Sequence, residues 1–164
     1  MDVIKTAERE IAEGNLWRAK EILHRAVGHS GYKIEVYEKL GNVLLQMSDL
    51  AEAGKYLFLS GVRRPEYEKA IGIFLHKYEG KPYNLFHPFP KSAKLSKISE
   101  YPPTVADKMR ELGLPEELKD IRGNYIHPSP SNDSRFAVAI LLSIVLTIVV
   151  LVILGFVKLF EIIF

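Results

Sequence analysis

Histidines are the residues of this chain best suited to metal binding or proton transfer, but their spacing favours neither. The five are His24, His29, His76, His87 and His127. No two of them lie four residues apart on one predicted helix, as the paired ligands of a helical zinc motif do. Cysteine is absent, which excludes disulfides, thiolate ligands and cysteine nucleophiles. The sequence also lacks a glycine-rich phosphate loop and a nucleophile elbow. We therefore expect no metal, no cofactor and no enzymatic activity.

Two groups of basic residues are candidates for binding anions. Arg63 and Arg64 are adjacent and able to bind a carboxylate or a phosphate. The alternative, which we favour, is that they stabilise the C-terminal dipole of the preceding helix. Lys91, Lys94 and Lys97 suit either an anionic lipid surface or a solvated edge, and we favour the edge. The net charge of +2 is too small to indicate a nucleic-acid partner.

The elements that would position these residues are amphipathic helices. Apolar residues recur at helical spacing, and glycines or short polar turns separate the segments. Asp49 is predicted to cap the fourth helix, and Pro65 suits the first turn of the fifth. Trp17 and Tyr37 are expected to pack between helices. The predicted helices cover about residues 2–13, 16–27, 34–47, 50–60 and 66–78.

Residues 34–67 resemble the tetratricopeptide (TPR) repeat. A shift of 34 residues aligns Ala19 with Ala53 and Leu23 with Leu57, which is the period of this repeat. The matching positions of residues 34–67 are Tyr37, Leu40, Gly41, Leu44, Ala53, Leu57, Ser60 and Pro65. The resemblance implies an all-α fold of TPR-like antiparallel hairpins, about 1.5 to 2 repeats plus capping segments, over residues 1–80.

The same resemblance implies where a partner would bind. In TPR proteins the binding groove is lined by the first helix of each pair. Carried over by position, the implied groove residues are Glu38, Asn42 and Gln46 in the complete repeat, and Lys69 and His76 in the half repeat. The stretches GNLWRAKEIL, LAEAGKYLFLSGVRRPEY and YPPTVADKMRELGLP also look like a bacterial family of small uncharacterised proteins, which implies no activity.

Residues 81–125 are rich in proline and aromatic side chains. Such a composition is unlike that of a free linker, so we expect an extended segment with short helices that packs on the hairpins. Thr104 is predicted to cap a helix over about residues 105–112, and a helical turn is expected near 115–121. Residues 126–135 are rich in proline, serine, asparagine and aspartate, which predicts a flexible stalk.

Residues 136–157 form an apolar run of 22 residues without a charge. As a helix it would be about 33 Å long, enough for the hydrocarbon core of a bilayer. The hydroxyls of Ser143 and Thr147 can bond to carbonyl groups one turn back. We expect a single C-terminal transmembrane helix that contacts membrane lipid, followed by a short tail over residues 158–164.

The flanks of this run predict its orientation. Lys119, Arg122 and Arg135 precede it, whereas only Lys158 follows. The N-terminus has no apolar stretch of the kind that a signal peptide needs. The positive-inside tendency then predicts a single-pass protein of the cell membrane with its N-terminal domain in the cytoplasm.

Two functions fit this organisation. The first is a membrane-anchored adaptor that binds a protein partner at the cytoplasmic face without catalysis. The second is a toxin-immunity or phage-defence component that acts through its helical domain or its span. A homo-oligomer is compatible with either function. The sequence does not identify the partner.

Overall fold

The computed structural model of the protein describes residues 2–119, 124–125 and 140–148. Within them the regular structure is helical, apart from two isolated β-bridges, and the all-α fold class is confirmed. The first six α-helices are α1 (Val3–Ala12), α2 (Leu16–His29), α3 (Ile34–Gln46), α4 (Leu50–Ser60), α5 (Pro65–His76) and α6 (Pro103–Glu111). Three 3₁₀ helices lie between α5 and α6, at Pro82–Phe86, Lys91–Ala93 and Ile98–Glu100.

The ends of α4 show how local chemistry sets the helix boundaries. The side chain of Asp49 accepts a hydrogen bond of 3.2 Å from the backbone N–H of Glu52, as an N-cap does. At the other end, Gly61 adopts a left-handed conformation with φ of 73°. A Cβ atom at Gly61 would also lie 2.5 Å from the Cβ of Pro102. Both the conformation and the contact therefore require glycine at this position.

The five helices α1–α5 pack in chain order, each against the next. Connections of three or four residues join them, so consecutive helices form hairpins. Gly41 of α3 lies against Leu57 of α4, where a Cβ would come within 2.5 Å of the leucine side chain. Ala53 is fully buried. The small residues at 41 and 53, two of the positions that match the TPR pattern, thus allow α3 and α4 to pack closely.

Residues 81–119 pack onto these hairpins through apolar and polar contacts. Leu85, Phe89 and Ala93 belong to the same buried core as the helices. The Ser92 hydroxyl donates a hydrogen bond of 2.6 Å to the carbonyl of Val27 at the end of α2. Contacts therefore join this segment to the helices within one compact unit, Met1–Ile126.

Two local predictions in this segment were wrong. Thr104 does not cap α6, because Pro102 is the N-cap, and the Thr104 hydroxyl instead donates to the carbonyl of Gly61 at 2.5 Å. The expected helical turn near 115–121 is absent from its described part, residues 115–119. There Glu117 forms a β-bridge with Lys97, and the N–H of Leu118 donates to the carbonyl of Ser96 at 2.8 Å.

The second unit is His127–Phe164, of which residues 140–148 are described as helix. The Thr147 hydroxyl donates a hydrogen bond of 2.9 Å to the carbonyl of Ser143, as expected. Within the described residues no helix combines the length and the apolar character needed to cross a bilayer. The predicted stalk, the tail and most of the predicted span lie outside the described residues.

Candidate functional site

A cleft between α1, α3 and the start of α5 is the candidate site, and we call it the α1–α3–α5 cleft. Its volume is about 300 Å³. These three helices are the first members of successive hairpins, so the cleft lies on the side where the resemblance implied a groove. The lining residues are Ile4, Glu8, Glu35, Glu38, Lys39, Asn42 and Arg64.

A chain of polar contacts joins α3 to α5 at this cleft. Arg64 forms an ion pair of 2.8 Å with Glu38, and its guanidinium carbon lies 5.5 Å from the centre of the Tyr67 ring. The Tyr67 hydroxyl donates to Glu38 at 3.0 Å and accepts a hydrogen bond of 2.8 Å from the Asn42 amide. Burial raises the pKa of Tyr67. The hydroxyl therefore stays protonated and holds Glu38 and Asn42 in place.

Other polar groups of the cleft are free to contact a ligand. Lys39 of α3 pairs with Glu8 of α1 at 2.6 Å, but the carboxylate of Glu35 forms no hydrogen bond or ion pair with any described residue. The Asn42 amide uses its nitrogen in the network, and its oxygen accepts no hydrogen bond from the described residues. A ligand that donates hydrogen bonds, such as a peptide backbone or a basic side chain, would match these acceptors.

The structure brings only some of the implied groove residues together. Glu38 and Asn42 meet in the cleft, where they are joined by Arg64 of the arginine pair. Gln46, Lys69 and His76 are exposed and do not line it. His76 instead pairs with Glu79 at 2.9 Å.

Arg63 and Arg64 have different surroundings although they are adjacent. The Arg63 guanidinium donates to the carbonyls of Val62 and Leu57, at 3.1 and 3.4 Å, near the C-terminus of α4. It also lies 5.6 Å from the centre of the Phe58 ring, and burial lowers its pKa. The helix-end interpretation therefore fits Arg63, whereas Arg64 reaches into the cleft.

Sequence reasoning missed the contribution of α1 to the cleft. Moving back 34 residues from Glu38 and Asn42 gives Ile4 and Glu8, and both line the cleft. The repeat period could therefore have found them. Tyr67 is buried, and no motif marked its hydroxyl as the link between α3 and α5.

A second cavity lies on the α2 and α4 side of the hairpins. Its volume is about 360 Å³. It is lined by Lys20, His24, Leu40, Leu44, Asp49, Ala51, Glu52 and Tyr56. Across the residues that the structure describes, no group of three histidine, aspartate or glutamate side chains could hold a metal ion. Neither cavity thus provides a metal centre from the described residues.

The chain belongs to DUF6584, a family of unknown function, whose model matches residues 1–161. This match covers both the helical unit and the whole apolar run of residues 136–157. No curated protein and no solved structure matches the sequence. The family has no assigned activity, so a function has to be argued from the cleft and from the apolar run.

Proposed function

We propose that this protein is a membrane-anchored interaction module whose TPR-like helical domain binds a protein partner in the α1–α3–α5 cleft. Its task is binding and not catalysis. The observation that carries the proposal is the convergence of the first helices of successive hairpins on one polar cleft. A partner segment lying there would contact Glu35, Glu38 and Asn42 from α3 and Glu8 from α1.

The polarity of the cleft supports a protein segment as the occupant. Its lining holds three carboxylates and two basic side chains around Ile4, which is a mixed surface rather than a deep apolar pocket for a small molecule. Acceptors such as the Asn42 amide oxygen suit backbone N–H groups, which every peptide presents. The volume of about 300 Å³ is enough for a few side chains of a partner.

The apolar C-terminal run supports the membrane part of the proposal. The described helix 140–148 has only apolar side chains apart from Ser143 and Thr147, and the large apolar ones are exposed. A bilayer would cover such side chains. The basic residues Lys119 and Arg135 before the run favour a cytoplasmic helical domain.

Site-specific photo-crosslinking in native membranes tests the proposal. A photoreactive amino acid replaces Glu35 in the cleft of the full chain, and a matched one replaces Arg25, which is exposed on α2. Adducts are purified in detergent and identified by mass spectrometry. We expect one dominant protein adduct from position 35 that position 25 does not give.

A second variant ties the adduct to the chemistry of the cleft. Asn42→Ala removes the amide that would bind a partner and leaves the ion pair between Glu38 and Arg64 in place. We expect the adduct at position 35 to fall at least about fivefold in yield, because a hydrogen-bonding group left without its partner costs about 1 to 3 kcal/mol. Equal adducts from positions 35 and 25, or adducts with lipid alone, would contradict the proposal.

A further inference from the structure

Lys94 and Lys119 lie over the ring of Tyr125, the last described residue of the helical unit, and Lys91 and Lys97 stand three residues to either side of Lys94. We call this surface the lysine face. The ammonium groups of Lys119 and Lys94 lie 5.3 and 6.0 Å from the centre of the Tyr125 ring. Lys119 also donates a hydrogen bond of 2.9 Å to the carbonyl of Lys94. These contacts fix two cations on one aromatic ring. The four lysines are Lys91, Lys94, Lys97 and Lys119.

The backbone directs these side chains outward together. Lys91 begins a 3₁₀ helix and Lys94 follows three residues later, so their side chains lie above one another on one side. Leu118 is buried. Because side chains alternate along extended chain, its neighbours Glu117 and Lys119 point away from the core. The Lys97 and Glu117 backbones form a β-bridge, which places Lys97 beside this strand-like segment.

The charges of the lysine face are only partly compensated. Lys97 pairs with Glu117 at 3.7 Å. Lys91, Lys94 and Lys119 form no ion pair with a described carboxylate. Glu100 interacts electrostatically with Tyr125, and its carboxylate accepts a hydrogen bond of 3.0 Å from the backbone N–H of Ser96. Among the described residues, three cations of the lysine face thus have no carboxylate partner.

The position of this face along the chain indicates which anion it would meet. Ten residues lie between Tyr125 and Phe136, where the apolar run begins. Ten residues span at most about 36 Å even when fully extended. If the run crosses a bilayer, the lysine face stays close to the headgroups. Tyrosine and lysine are both well suited to that interface, since each has an apolar body and a polar end.

We infer that the lysine face docks on anionic phospholipid headgroups and thereby orients the helical unit on the membrane. The inference rests on the proposed membrane anchor and goes beyond it, because anchoring alone leaves the unit free to rotate. Docking would fix which way the α1–α3–α5 cleft faces. Each lysine at an anionic surface is expected to shift the docking equilibrium about fivefold.

Lipid quenching of a fluorophore tests this inference in the full chain. The protein has no cysteine and a single tryptophan, so Ser96→Cys gives a unique site for a bimane label between Lys94 and Lys97. The labelled protein is reconstituted in vesicles of phosphatidylcholine, with or without phosphatidylglycerol. A nitroxide on the lipid headgroups quenches any label that touches the surface. Trp17 is exposed on α2 and serves as an internal reference.

We expect strong quenching of the label in anionic vesicles and weak quenching in neutral ones, with little change at Trp17. Added salt should reduce the difference, because it screens surface charge. Replacing three unpaired lysines by glutamine should return the signal to its neutral-vesicle value. The variant is Lys91→Gln, Lys94→Gln, Lys119→Gln, and a version with arginine at the same positions should retain the response.

A matched control separates the lysine face from net charge. It removes three exposed lysines that lie elsewhere, and it should keep the response to anionic lipid. The control variant is Lys5→Gln, Lys33→Gln, Lys77→Gln. Equal quenching in both vesicle types would overturn the inference, as would equal loss of the response in the two triple variants. Circular dichroism verifies that each variant is folded.

The anchor itself is tested separately by flotation. If the unlabelled chain floats with neutral vesicles after a carbonate wash, the membrane anchor stands whatever the quenching shows. If it remains in solution, the proposed anchor fails, and the docking inference fails with it. A chain that floats but shows no lipid-dependent quenching overturns docking alone.

Discussion

The helices α1 and α4 are similar in length, at 10 and 11 residues, yet they differ sharply in burial. The eight residues from Ala53 to Ser60 of α4 are all buried, including the polar Lys55 and Ser60. In α1 only Ala7 is fully buried. The difference follows from position, because α4 packs against α3 on one side and α5 on the other, whereas α1 is the first helix of the series.

This comparison separates two tasks within one helical series. A central helix has neighbours around much of its surface and must be close-packed, so small residues are required where its neighbours approach. A terminal helix keeps a polar face that no neighbour covers. In this protein that face supplies Glu8 to the cleft. Stability therefore depends most on the centre of the series, and binding can use charges at its edge.

The substitution Gly54→Ala should have the largest effect, because it adds an atom where α4 meets α5. The added Cβ would overlap the carbonyl oxygen of Ala70 and lie 2.9 Å from the Cβ of Phe74. A backbone carbonyl within a helix cannot move aside as a flexible side chain can. We expect the free energy of unfolding, measured with urea, to fall by more than about 3 kcal/mol.

Gly72→Ala in α5 is the matched control for that substitution. No atom lies within 4 Å of a Cβ built at Gly72. Alanine should stabilise the helix by about 0.5 to 1 kcal/mol relative to glycine. If the two substitutions changed stability equally, the close contact of α4 with α5 would not be the cause, and the distinction between centre and edge would weaken.

Alkaline pH should destabilise the fold through its buried tyrosines, none of which lies in α1. Burial raises the pKa values of Tyr32, Tyr37 and Tyr56, and α1 contains no tyrosine. Below pH 10 these tyrosines are protonated in both the folded and the unfolded chain, so their contribution is fully present. Above pH 10 the unfolded chain loses these protons first, and stability falls as pH rises.

Urea unfolding at a series of pH values tests this effect, with tyrosinate absorbance recorded on the same samples. We expect a constant midpoint up to about pH 10 and a steady fall above it. Burial raises the pKa of Tyr125 to about 12, so this tyrosine should ionise within the pH range above 10. Full ionisation of the tyrosines below pH 10 with the helices intact would contradict the prediction.

Local sequence signals were enough to place the hairpin helices. The predicted limits of α4 agree with the structure because Asp49 and Gly61 define its two ends through their own chemistry. Pro65 likewise stands at the first position of α5. The fully buried Tyr37 was also expected in the core.

The wrong predictions depended on geometry that local patterns do not contain. Trp17 was expected in the core but is 67% exposed, because it lies two residues, or about 200° of helix rotation, from the buried Ala19. Near residues 115–121 the chain pairs with a segment about 20 residues earlier, through Glu117 and Lys97. Such pairing between distant segments leaves no periodic signal in the sequence.

Removing the Tyr37 hydroxyl should lower the stability moderately, because this hydroxyl links the 3₁₀ segment to the central helices. Ser92 uses its single proton to donate to Val27, so the Tyr37 hydroxyl, 2.8 Å away, donates to the Ser92 oxygen. Tyr37→Phe leaves that oxygen without its donor and should cost about 1 kcal/mol in urea unfolding. Tyr83→Phe is the control, since the Tyr83 hydroxyl bonds to none of the described residues, and it should change stability little. An equal cost for both would argue against the link.

The smallest effect on stability should come from the terminal helix, and it would sharpen the comparison most. Glu8 and Lys39 form an ion pair of 2.6 Å, but their side chains are 49% and 31% exposed. Solvent screens such a pair, so Glu8→Gln should lower the free energy of unfolding by less than about 0.5 kcal/mol. The same change removes a carboxylate from the α1–α3–α5 cleft and leaves Lys39 without its ion pair. The yield of the partner adduct that is crosslinked at position 35 should therefore change. A variant that is stable but altered in binding would show that α1 serves binding more than stability. A large loss of stability would show instead that α1 contributes to stability as the central helices do.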